Sequence, residues 1–416
     1  MPVVSSVVFQ IMHVLYFHQY FSTRQGGTGT RSYEMARRLI YSGHQVTMVC
    51  ASYGPATTGL SGPFVRGKRQ GDVDGIQVIE FELPCSNSDG LVKRAWTFVK
   101  YAIQSARLAV FTKCDLVFAT STPLTAAIPG IASAWLRRRR FVFEVRDLWP
   151  ELPRAMGIIR NPLILGAMGF LERRAYHAAT HCIGLAPGIS QGIEKHIDED
   201  RVTTIPNGCD LDLLEIATHG SWRPDGVSKD DFLAIFTGTH GKANGLSAVL
   251  DAAAVLKKRG RDDIKLLLVG DGKEKDDLLR RAKLEELGNV IFQGRVSKHK
   301  AAGLLGGADA GMQILANVPA FYYGTSPNKF FDYLSVGLPA LNNYPGWVAE
   351  LVGQNGCGIA VPPDDPEAFA NALEYLAEHR AKRKLMGQAA RELAEREFSR
   401  DELAAKFVKV LEEAAA

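Results

Sequence analysis

The sequence has few cysteines and no long apolar segment, and both absences limit the classes of protein to which it can belong. No two of the six cysteines lie within three residues of each other, so the chain has no CxxC pair for zinc binding or disulfide exchange. No uninterrupted apolar run approaches the roughly 18 residues of a transmembrane helix, and residues 1–11 lack the basic start of a signal peptide. We therefore expect a reduced, cytoplasmic protein, with residues 1–11 as a candidate disordered extension.

The net charge of the chain is also small. The 416 residues include 49 Lys and Arg against 45 Asp and Glu, and a net charge of +4 is too small to indicate a nucleic-acid-binding protein. The basic excess lies in residues 1–215, which carry 23 Lys and Arg against 18 Asp and Glu. With 46% hydrophobic residues the chain has enough apolar material for two cores without a disulfide or a metal.

Apolar strands and amphipathic helices alternate along the chain in two series. Residues 217–230 are polar and contain Gly, Pro and Ser, as expected of a linker. We predict an N-terminal α/β domain over residues 1–216 and a second over residues 231–395, each a doubly wound parallel sheet with helices on both faces. Residues 55–75 are predicted to form a loop and residues 381–415 a helical tail.

The first glycine-rich segment follows the first predicted strand and comprises Gly26, Gly27, Thr28 and Gly29. Such glycines let backbone amides approach a phosphate at a helix N-terminus, although a simple glycine-rich turn explains the segment equally well. The spacing is not GxGxxG, because Ser32 occupies the third glycine position, and the next strand is followed by no acidic residue for a ribose. These departures disfavour an NAD-dependent dehydrogenase.

The second candidate loop follows the predicted strand 232–237. It combines Gly238, Thr239, Asn244 and two side chains that could be cationic, His240 and Lys242, before a predicted helix. An anion is the natural occupant of such a loop.

The third candidate is a predicted helix start. Ser326 is predicted as the N-cap and Pro327 as the first helical residue, with Asn328 and Lys329 beside the free amides. Asp332, one turn further, would accept hydrogen bonds from ribose hydroxyls, or would simply pair with Lys329.

Gly272 and Arg295 follow two further strands of the second series. Carboxyl ends of parallel strands meet at one edge of a sheet. The four loops of the second series, which contain Gly238, Gly272, Arg295 and Ser326, together predict a nucleotide-diphosphate site.

The sequence at this point resembles the retaining glycosyltransferases of family 4, which have two facing Rossmann-like domains (the GT-B architecture) and a C-terminal helix that crosses back to the first domain. The resemblance is carried by GGTGTRSYEMARRLIYSGHQVTMV, FEVRDLWPELP, LERRAY, IPNGCD, FTGTHGKANGL, LLVGDG and SPNKFFDYLSVGLPAL, and it extends from about Met12 to about Phe398. It is similar to bacterial enzymes of O-antigen, capsule and exopolysaccharide synthesis, often with aminosugar donors. One departure is Gly324, where the family often has Glu.

The resemblance implies that residues 396–416 form the crossing helix. It also implies a nucleotide-sugar donor such as a UDP-sugar, whose pyrophosphate would contact Ser326, Asn328 and Lys329. Asp332 would bind the ribose, and Arg295 would lie near the base. Retention at the anomeric carbon is also implied.

Four side chains are candidates for catalysis: Asp147, His240, Lys242 and Lys329. The leaving diphosphate needs preorganised cations and amides, and no DxD-type acidic pair is placed for Mg²⁺, so we expect neither a metal nor a cofactor. Asp147 could orient the acceptor or act as a base. An ion pair with Arg146 explains it equally well.

The acceptor side is predicted from a basic, aromatic helix in the first half. Lys93, Lys100 and Arg107 recur every seven residues with Trp96 between them, and Arg146 adds to the basic excess. Such a face suits an anionic membrane and a polyprenyl-diphosphate-linked sugar or a glycan as acceptor, whereas a packed helix with a solvated stripe is the simpler interpretation.

Two other functions stay open from the sequence. A non-hydrolysing UDP-sugar epimerase would have the same two-domain shape, and a small-ligand binding protein is less consistent with the phosphate-directed loops.

Overall fold

In a computed structural model the chain forms two α/β units, each built on its own mainly parallel sheet, and each unit is called a layer below. The structure describes residues 11–26, 29–54, 56–86 and 89–416. The sequence-predicted extension at residues 1–11 therefore lies outside the described residues except for its last position.

The first sheet has eight strands. Their bounds are β1 His13–Phe17, β2 Gln45–Tyr53, β3 Lys68–Val73, β4 Ile76–Cys85, β5 Leu116–Thr120, β6 Arg140–Val145, β7 His181–Gly184 and β8 Val202–Thr204. The helices around it are α1 Arg31–Tyr41, α2 Leu91–Phe111, α3 Ile128–Arg137, α4 Glu151–Ala155, α5 Pro162–Ala178, α6 Pro187–Glu194 and α7 Leu213–His219.

The strands lie in the order β3-β4-β2-β1-β5-β6-β7-β8, and all pairs except β3 with β4 are parallel. Central strands are apolar because helices cover both faces, and all five residues of β5 are buried. The chain builds outward from β1 in one direction and from β5 in the other, so the topological switch point lies between these two strands.

One sequence prediction in this sheet is wrong. Residues 55–75 were predicted to form a loop, but β3 lies within them and pairs antiparallel with β4. The turn between the two strands is Asp74-Gly75, with φ angles of 53° and 84°. Asp-Gly is a preferred two-residue hairpin turn because both positions need positive φ, and this dipeptide was the available signal.

The second sheet has six parallel strands. Their bounds are β9 Phe232–Thr237, β10 Ile264–Val269, β11 Val290–Gln293, β12 Ala310–Gln313, β13 Ala340–Asn342 and β14 Gly358–Ala360. Its helices are α8 Ser247–Lys258, α9 Lys275–Leu284, α10 Lys298–Gly307, α11 Asn328–Ser335, α12 Trp347–Asn355, α13 Pro366–Glu378 and α14 Arg380–Glu397, followed by α15 Arg400–Ala415. The order β11-β10-β9-β12-β13-β14 places the switch point between β9 and β12.

The segment between the sheets begins with α7, which packs on α10 of the second layer. A Cβ on Gly306 of α10 would lie 2.0 Å from the carbonyl oxygen of Ala217, so the two helix backbones are in direct contact. The boundary predicted at residue 216 falls inside α7.

The C-terminal helix returns to the first layer, as predicted. The rings of Phe407 on α15 and Phe118 on β5 are 5.0 Å apart, and His44 contacts Glu412 at 3.1 Å. The helical tail predicted over 381–415 consists of two helices, α14 and α15, because the chain turns at Phe398–Ser399 to pair with Cys209 through backbone hydrogen bonds. In the described ranges, none of the helices has the length and apolar character needed to cross a membrane.

Candidate active site

The two switch points face one cleft, with a volume of about 480 Å³. Ligands in doubly wound sheets bind outside the carboxyl ends of the strands at the switch point, and here both sheets offer that edge to the same cavity. The cleft is lined by Gly26, Gly29, Thr30, Tyr53, Thr237, Gly238, Thr239, Asn244, Arg295, Lys298, Ala301, Asn328, Lys329, Asp332 and Arg400.

The wall from the first sheet is small and uncharged. It consists of the segment after β1 together with Tyr53 at the end of β2. A Cβ on Gly26 would lie 2.0 Å from the Ser22 hydroxyl oxygen and 2.9 Å from the Thr57 backbone nitrogen, so only glycine fits there. Gly27 and Thr28, predicted to bind the donor, lie outside the described residues.

The loop after β9 brings three of its predicted residues into the cleft: Gly238, Thr239 and Asn244. Gly238 has a φ of 153°. A Cβ on Gly270 of the neighbouring loop would lie 1.8 Å from the Gly238 carbonyl oxygen, so the two loops touch through their backbones. The loop is held in shape by glycine packing rather than by its charges.

The two predicted cationic residues of this loop are not in the cleft lining. The His240 ring is fully buried between Phe236 and Phe292, with centroid distances of 6.3 Å to each, and burial lowers its pKa to about 4. Lys242 is exposed on a 3-10 turn over Lys242–Asn244. Neither side chain is placed to bind a diphosphate in this structure.

Gly272 also has a different place from the one predicted. It does not line the cleft, and a Cβ there would lie 2.2 Å from the carbonyl oxygen of His240. Its small size lets the β10 loop pack beneath the β9 loop.

At the third predicted segment, the helix begins at Asn328 and its N-cap residue is Pro327. Ser326 is not the N-cap, because its hydroxyl oxygen accepts a hydrogen bond of 2.9 Å from the Asn207 backbone amide, and its carbonyl accepts one of 2.6 Å from the Asn207 side chain. The prediction that Ser326 caps this helix is therefore wrong. Its hydrogen bonds with Asn207 join the start of the helix to the first layer instead. Ser326 and Pro327 do not line the cleft.

Lys329 points its ammonium group toward the β9 loop. The Nζ donates to Asn244 Oδ1 at 2.9 Å and lies 4.8 Å from the centre of the Phe236 ring. Burial without a carboxylate partner lowers the pKa of Lys329 to about 8. The simple pairing of Lys329 with Asp332 is not formed, because the carboxylate of Asp332 faces Lys298 at 4.0 Å instead.

A charged network that the sequence did not predict supports Asp332. The carboxylate of Asp210, in the segment after β8, binds both Lys298 of α10 and Arg400 of α15. Arg400 also donates to the Gly208 carbonyl at 2.7 Å. The network connects both layers and the C-terminal helix at the base of the cleft.

The pKa values of the two carboxyl groups in this network move in opposite directions. Burial, and to a lesser degree Asp210, raises the pKa of Asp332 against the opposing effects of Lys298 and Arg400. The pKa of Asp210 is well below its usual range, since Arg400 and Lys298 outweigh its burial. Asp332 is thus the carboxylate whose hydrogen-bonding capacity is less engaged.

Arg295, as predicted, lines the cleft, and its side chain is exposed. Seven lining residues were not predicted: Gly29 as a ligand, Thr30, Tyr53, Thr237, Lys298, Ala301 and Arg400. Two of them, Tyr53 and Thr237, are the last residues of strands β2 and β9, so a systematic reading of strand ends would have found them, whereas Thr30 is the N-cap residue of α1. No local signal marks Lys298 or Arg400, because each begins a helix that reaches the cleft only through the tertiary fold.

Asp147 follows β6 but is not among the cleft-lining residues. Its carboxylate accepts a hydrogen bond of 3.2 Å from the Thr122 hydroxyl, and burial raises its pKa. Thr122 has a φ of 93°, which is rare for a β-branched residue. A carboxyl group held by the Thr122 hydroxyl at this strand end is compatible with an orienting role.

Arg146, predicted to lie on the acceptor or membrane side, follows the carboxyl end of β6 directly, beside Asp147. Its guanidinium donates to Thr120 at 2.8 Å and to Ser32 at 3.0 Å, and its ion pair is with the buried Glu144 at 3.5 Å. Arg146 therefore braces the carboxyl ends of the central strands rather than pairing with Asp147.

The other predicted acceptor-side residues lie on α2 and share an exposed face. Lys100 lies 5.4 Å from the centre of the Trp96 ring, which is 60% exposed. Lys93 pairs with Asp89 at 2.7 Å, and Arg107 is exposed two turns beyond Lys100.

Comparisons with known proteins agree with this architecture. Residues 26–208 match the family described as a glycosyl transferase 4-like domain, and residues 221–393 match glycosyl transferases group 1. The D-rhamnosyltransferase WbpZ of Pseudomonas aeruginosa is 27% identical over 240 residues, which are 56% of this chain. The match spans 59% of the length of that relative.

Two solved structures have the same overall fold. Sucrose-phosphate synthase from Thermosynechococcus elongatus has a TM-score of 0.73 at 16% identity, covering 96% of this chain and 98% of that one. Anabaena HepE in complex with UDP-glucose has a TM-score of 0.65 at 16% identity, covering 97% and 100%. Because the two matched families together extend over both layers of this architecture, the chain belongs to the glycosyltransferases with the GT-B fold.

Proposed function

We propose that the protein transfers a sugar, preferably an N-acetylaminosugar, from a UDP-sugar donor. The acceptor would be a polyprenyl-diphosphate-linked sugar or a glycan, and the product would belong to a cell-surface polysaccharide such as lipopolysaccharide or exopolysaccharide. The observation that carries the proposal is the start of α11, where Lys329 and Asp332 enter a cleft shared by both switch points. The match to HepE, whose structure holds UDP-glucose, supports a uridine nucleotide.

The donor's diphosphate would lie between the start of α11 and the loop after β9. Free amides at a helix N-terminus favour an anion, and Lys329 adds an ammonium group that has no carboxylate within ion-pair distance in the described residues. Because these groups are fixed before the reaction, they stabilise charge on the leaving diphosphate without reorganisation. This arrangement is our basis for proposing catalysis without a metal ion or cofactor.

Asp332 would hold the ribose. Its carboxylate accepts hydrogen bonds, and its nearest cation, Lys298, is 4.0 Å away and is shared with Asp210. A pair of vicinal hydroxyls would complete what the protein leaves unsatisfied. Arg295, exposed at the rim, would lie near the base.

The transfer would proceed with retention. The bond between the anomeric carbon and the diphosphate oxygen breaks, the acceptor's hydroxyl oxygen bonds to the same face of that carbon, and the acceptor's proton passes to the leaving diphosphate. Lys329 stabilises the departing charge, and Asp147 orients the acceptor side of the cleft through the β6 edge.

The proposal that the protein binds a membrane is supported by exposed aromatic residues on α3 and α5 as well as by those on α2. Helix α3 packs against both α2 and α5. The guanidinium of Arg174 on α5 lies 5.4 Å from the Trp135 ring centre and 5.0 Å from the Phe170 ring centre, and both rings are exposed. Exposed aromatic rings with adjacent cations suit the interface of an anionic bilayer. We propose peripheral binding to the cytoplasmic face of the plasma membrane.

Donor binding is tested by isothermal titration and thermal shift with UDP, GDP, ADP and their sugar conjugates. A ligand at 100 times its Kd stabilises the native state by about 2.7 kcal/mol, so UDP and a UDP-N-acetylaminosugar should raise the Tm most. Failure of every nucleotide to bind would end the proposal. Conversion of a UDP-sugar to its epimer without an acceptor, seen by proton NMR, would identify an epimerase instead.

Membrane binding is tested by sedimentation with phosphatidylglycerol and phosphatidylcholine vesicles. Each surface lysine contributes about 1 kcal/mol on an anionic bilayer, so a Trp96→Ala, Lys100→Ala double variant should bind phosphatidylglycerol at least about tenfold more weakly. The matched control, Lys384→Ala with Leu385→Ala, removes an exposed lysine and an exposed apolar side chain from α14. Equal vesicle binding by both variants would contradict the proposal.

A further inference from the structure

A second cavity, of about 350 Å³, lies where α1, the segment after β8 and the start of α15 meet. We call it the α1–α15 cavity. Arg400 lines both this cavity and the donor cleft around Lys329 and Asp332, so the two adjoin at that side chain. Among the described residues, none of those to which we assign donor binding lines the α1–α15 cavity, so it is a separate candidate site.

Four arginines and four carboxylates line the α1–α15 cavity, and most of the carboxylates already have cationic partners. Arg24 binds both oxygens of Glu34, at 2.6 and 2.9 Å, and also reaches Asp212 at 3.4 Å. Asp210 is bound by Arg400 and by a lysine of α10. These pairings use up most of the acceptor capacity of the lining and only part of its hydrogen-bond donors.

Two arginines of α1 have no carboxylate partner in the part of the chain that the structure describes. Arg38 is half-buried in the lining and makes no hydrogen bond or ion pair with those residues. The guanidinium of Arg37 lies 4.9 Å from the centre of the exposed Tyr41 ring and donates a hydrogen bond of 3.4 Å to the Tyr33 hydroxyl. Each guanidinium has five N–H donors, so both side chains can bind an anion that enters the cavity.

Arg400 supplies a buried nitrogen without a partner. The residue is only 9% exposed, and its Nε and Nη2 donate to Asp210 and to the Gly208 carbonyl. Its Nη1 is buried and has no hydrogen-bond partner among the described residues. Buried polar groups in folded proteins nearly always have such a partner. The free nitrogen therefore indicates a place for an acceptor from outside the chain.

These groups match a phosphomonoester. Such a group carries a charge of about −1.5 to −2 at pH 7 and three strong acceptor oxygens, and planar guanidinium groups bind phosphate oxygens in pairs. Asp212 and Asp401 are exposed in the lining and keep acceptor capacity, so they would bind hydroxyls on the rest of the molecule. A cavity of this size with a few fixed polar groups is typical of a small-molecule site.

The position of the cavity favours a soluble ligand over a lipid headgroup. Tyr16 and Phe17, adjacent on β1, belong to different cores, and successive strand residues point to opposite faces of a sheet. The core around Tyr16 contains Leu39 of α1 and Phe407 of α15, whereas the core around Phe17 contains Tyr101 of α2. Helices α1 and α15 therefore lie on the other side of the first sheet from the proposed membrane surface on α2.

We infer that the α1–α15 cavity binds a small, soluble phosphomonoester that carries hydroxyl groups. Arg37, Arg38 and Arg400 bind its phosphate. The site is additional to the proposed donor site and does not depend on the identity of the nucleotide sugar.

The experiment is isothermal titration of the full chain with inorganic phosphate, with glucose 6-phosphate, and with glucose as the phosphate-free control. Each titration is made without UDP and again at saturating UDP, which occupies the phosphate-binding part of the donor cleft. We expect inorganic phosphate and glucose 6-phosphate to bind under both conditions, glucose 6-phosphate more tightly because of its hydroxyls, and glucose alone not to bind.

Arg37→Ala and Arg38→Ala each remove one guanidinium from the cavity. Neither residue has an ion pair in the described ranges, so both variants should fold, which thermal unfolding checks. Each should lose phosphate affinity by about tenfold or more, because hydrogen bonds to a charged group are lost. The matched control is Arg280→Ala, on the exposed side of α9, and it should bind phosphate like the wild type. Lys329→Ala, which alters the donor cleft, should also keep phosphate binding.

Three results would overturn the assignment. The first is no binding of either phosphate compound to the wild type, and the second is an equal loss in Arg38→Ala and Arg280→Ala. The third is a loss in Lys329→Ala without one in Arg38→Ala, which would place the phosphate in the donor cleft.

Vesicles that contain phosphatidic acid present the same phosphomonoester on a lipid. Their binding should not change in Arg38→Ala, and a tenfold loss there would overturn the assignment of a soluble ligand. Absence of UDP binding contradicts the proposed function alone, because the titrations without UDP decide the present inference.

Discussion

The two walls of the central cleft differ in charge although they are built in the same way. Each wall is formed by loops at the carboxyl edge of a parallel sheet, next to its switch point. The first sheet contributes Gly26, Gly29, Thr30 and Tyr53, none of them charged, whereas the second contributes Arg295, Lys298, Lys329 and Asp332. Arg400 enters the cleft separately, from the start of α15. The shared topology creates the place for a ligand, and the side chains on one wall decide what that ligand is.

The difference assigns separate tasks to the two sheets. A nucleotide diphosphate is expected to be held mainly by the second sheet, and the first sheet leaves room for the acceptor. Changes on the second wall should therefore weaken donor binding, and changes on the first should act on the acceptor.

The largest expected effect follows from Lys329→Ala. Removal of a single preorganised donor to a developing charge reduces kcat by roughly 100- to 1,000-fold, and the variant also loses the hydrogen bond to Asn244. Turnover is measured by UDP release from a UDP-sugar in the presence of acceptor. Lys300→Ala, an exposed lysine of α10 that does not line the cleft, is the control and should keep normal turnover. Equal losses in both variants would show that general charge, not this position, matters.

Asp332→Asn should reduce UDP affinity by about 10- to 100-fold, since a hydrogen bond to a charged group contributes about 1.5–3 kcal/mol. The measurement is isothermal titration with UDP and with 2′,3′-dideoxyUDP. The variant and the wild type should bind the dideoxy nucleotide equally, because it lacks the hydroxyls that we assign to Asp332. A similar loss for both nucleotides would place the ribose elsewhere.

The pH dependence of donor binding tests the desolvated ammonium directly. In the free protein burial lowers the pKa of Lys329 to about 8, whereas a bound diphosphate favours the charged form and raises that pKa. Binding therefore takes up protons near pH 8, and UDP affinity should fall by about tenfold per pH unit above it. Titration calorimetry in buffers of different ionisation enthalpy measures the proton uptake.

Lys329→Arg provides the comparison for this pH profile. A guanidinium stays charged throughout the accessible range, so the variant should bind UDP with a flat profile above pH 8. A wild-type affinity that does not change between pH 7 and pH 10 would rule out Lys329 as the group that meets the diphosphate.

The smallest effect is expected for Lys242→Ala. The sequence assigns Lys242 to the donor site, but its side chain is exposed and does not line the cleft. Exposed substitutions away from specific contacts change free energies by about 0.5 kcal/mol or less, so the donor KM should change less than about threefold. A large increase in KM would mean that this loop closes on the donor in a way that the present geometry does not show.

Much of the fold could be predicted because its signals are local. Apolar strands and amphipathic helices show their own periodicity, and the C-terminal helix that crosses back to the first layer was expected from the resemblance alone. The missed hairpin of β3 and β4 is instructive, since its strand is mostly polar and half-exposed and only the Asp74-Gly75 turn marks it. The break after Phe398 has no comparable local signal, because it serves a backbone pairing with Cys209.

The candidate site was predicted where it depends on strand ends and was missed where it depends on distant segments. The glycines in the loops after β1 and β9, and the start of α11, follow from the order of strand, loop and helix. By contrast, Arg400 reaches Asp210 across 190 residues of sequence, and Ser326 is held by Asn207 across 119. Spacing along the chain contains no information on such pairs.

The sequence alone determined two doubly wound layers and a set of phosphate-directed loops, because periodicity and the steric needs of a turn are properties of neighbouring residues. The tertiary structure decided which charges enter the cleft. It brought in Lys298 and Arg400, turned the His240 ring into the core and left Lys242 in solvent. The physical reason is that an ion's role depends on its burial and its partners, and both are set by segments that meet only when the two layers pack together.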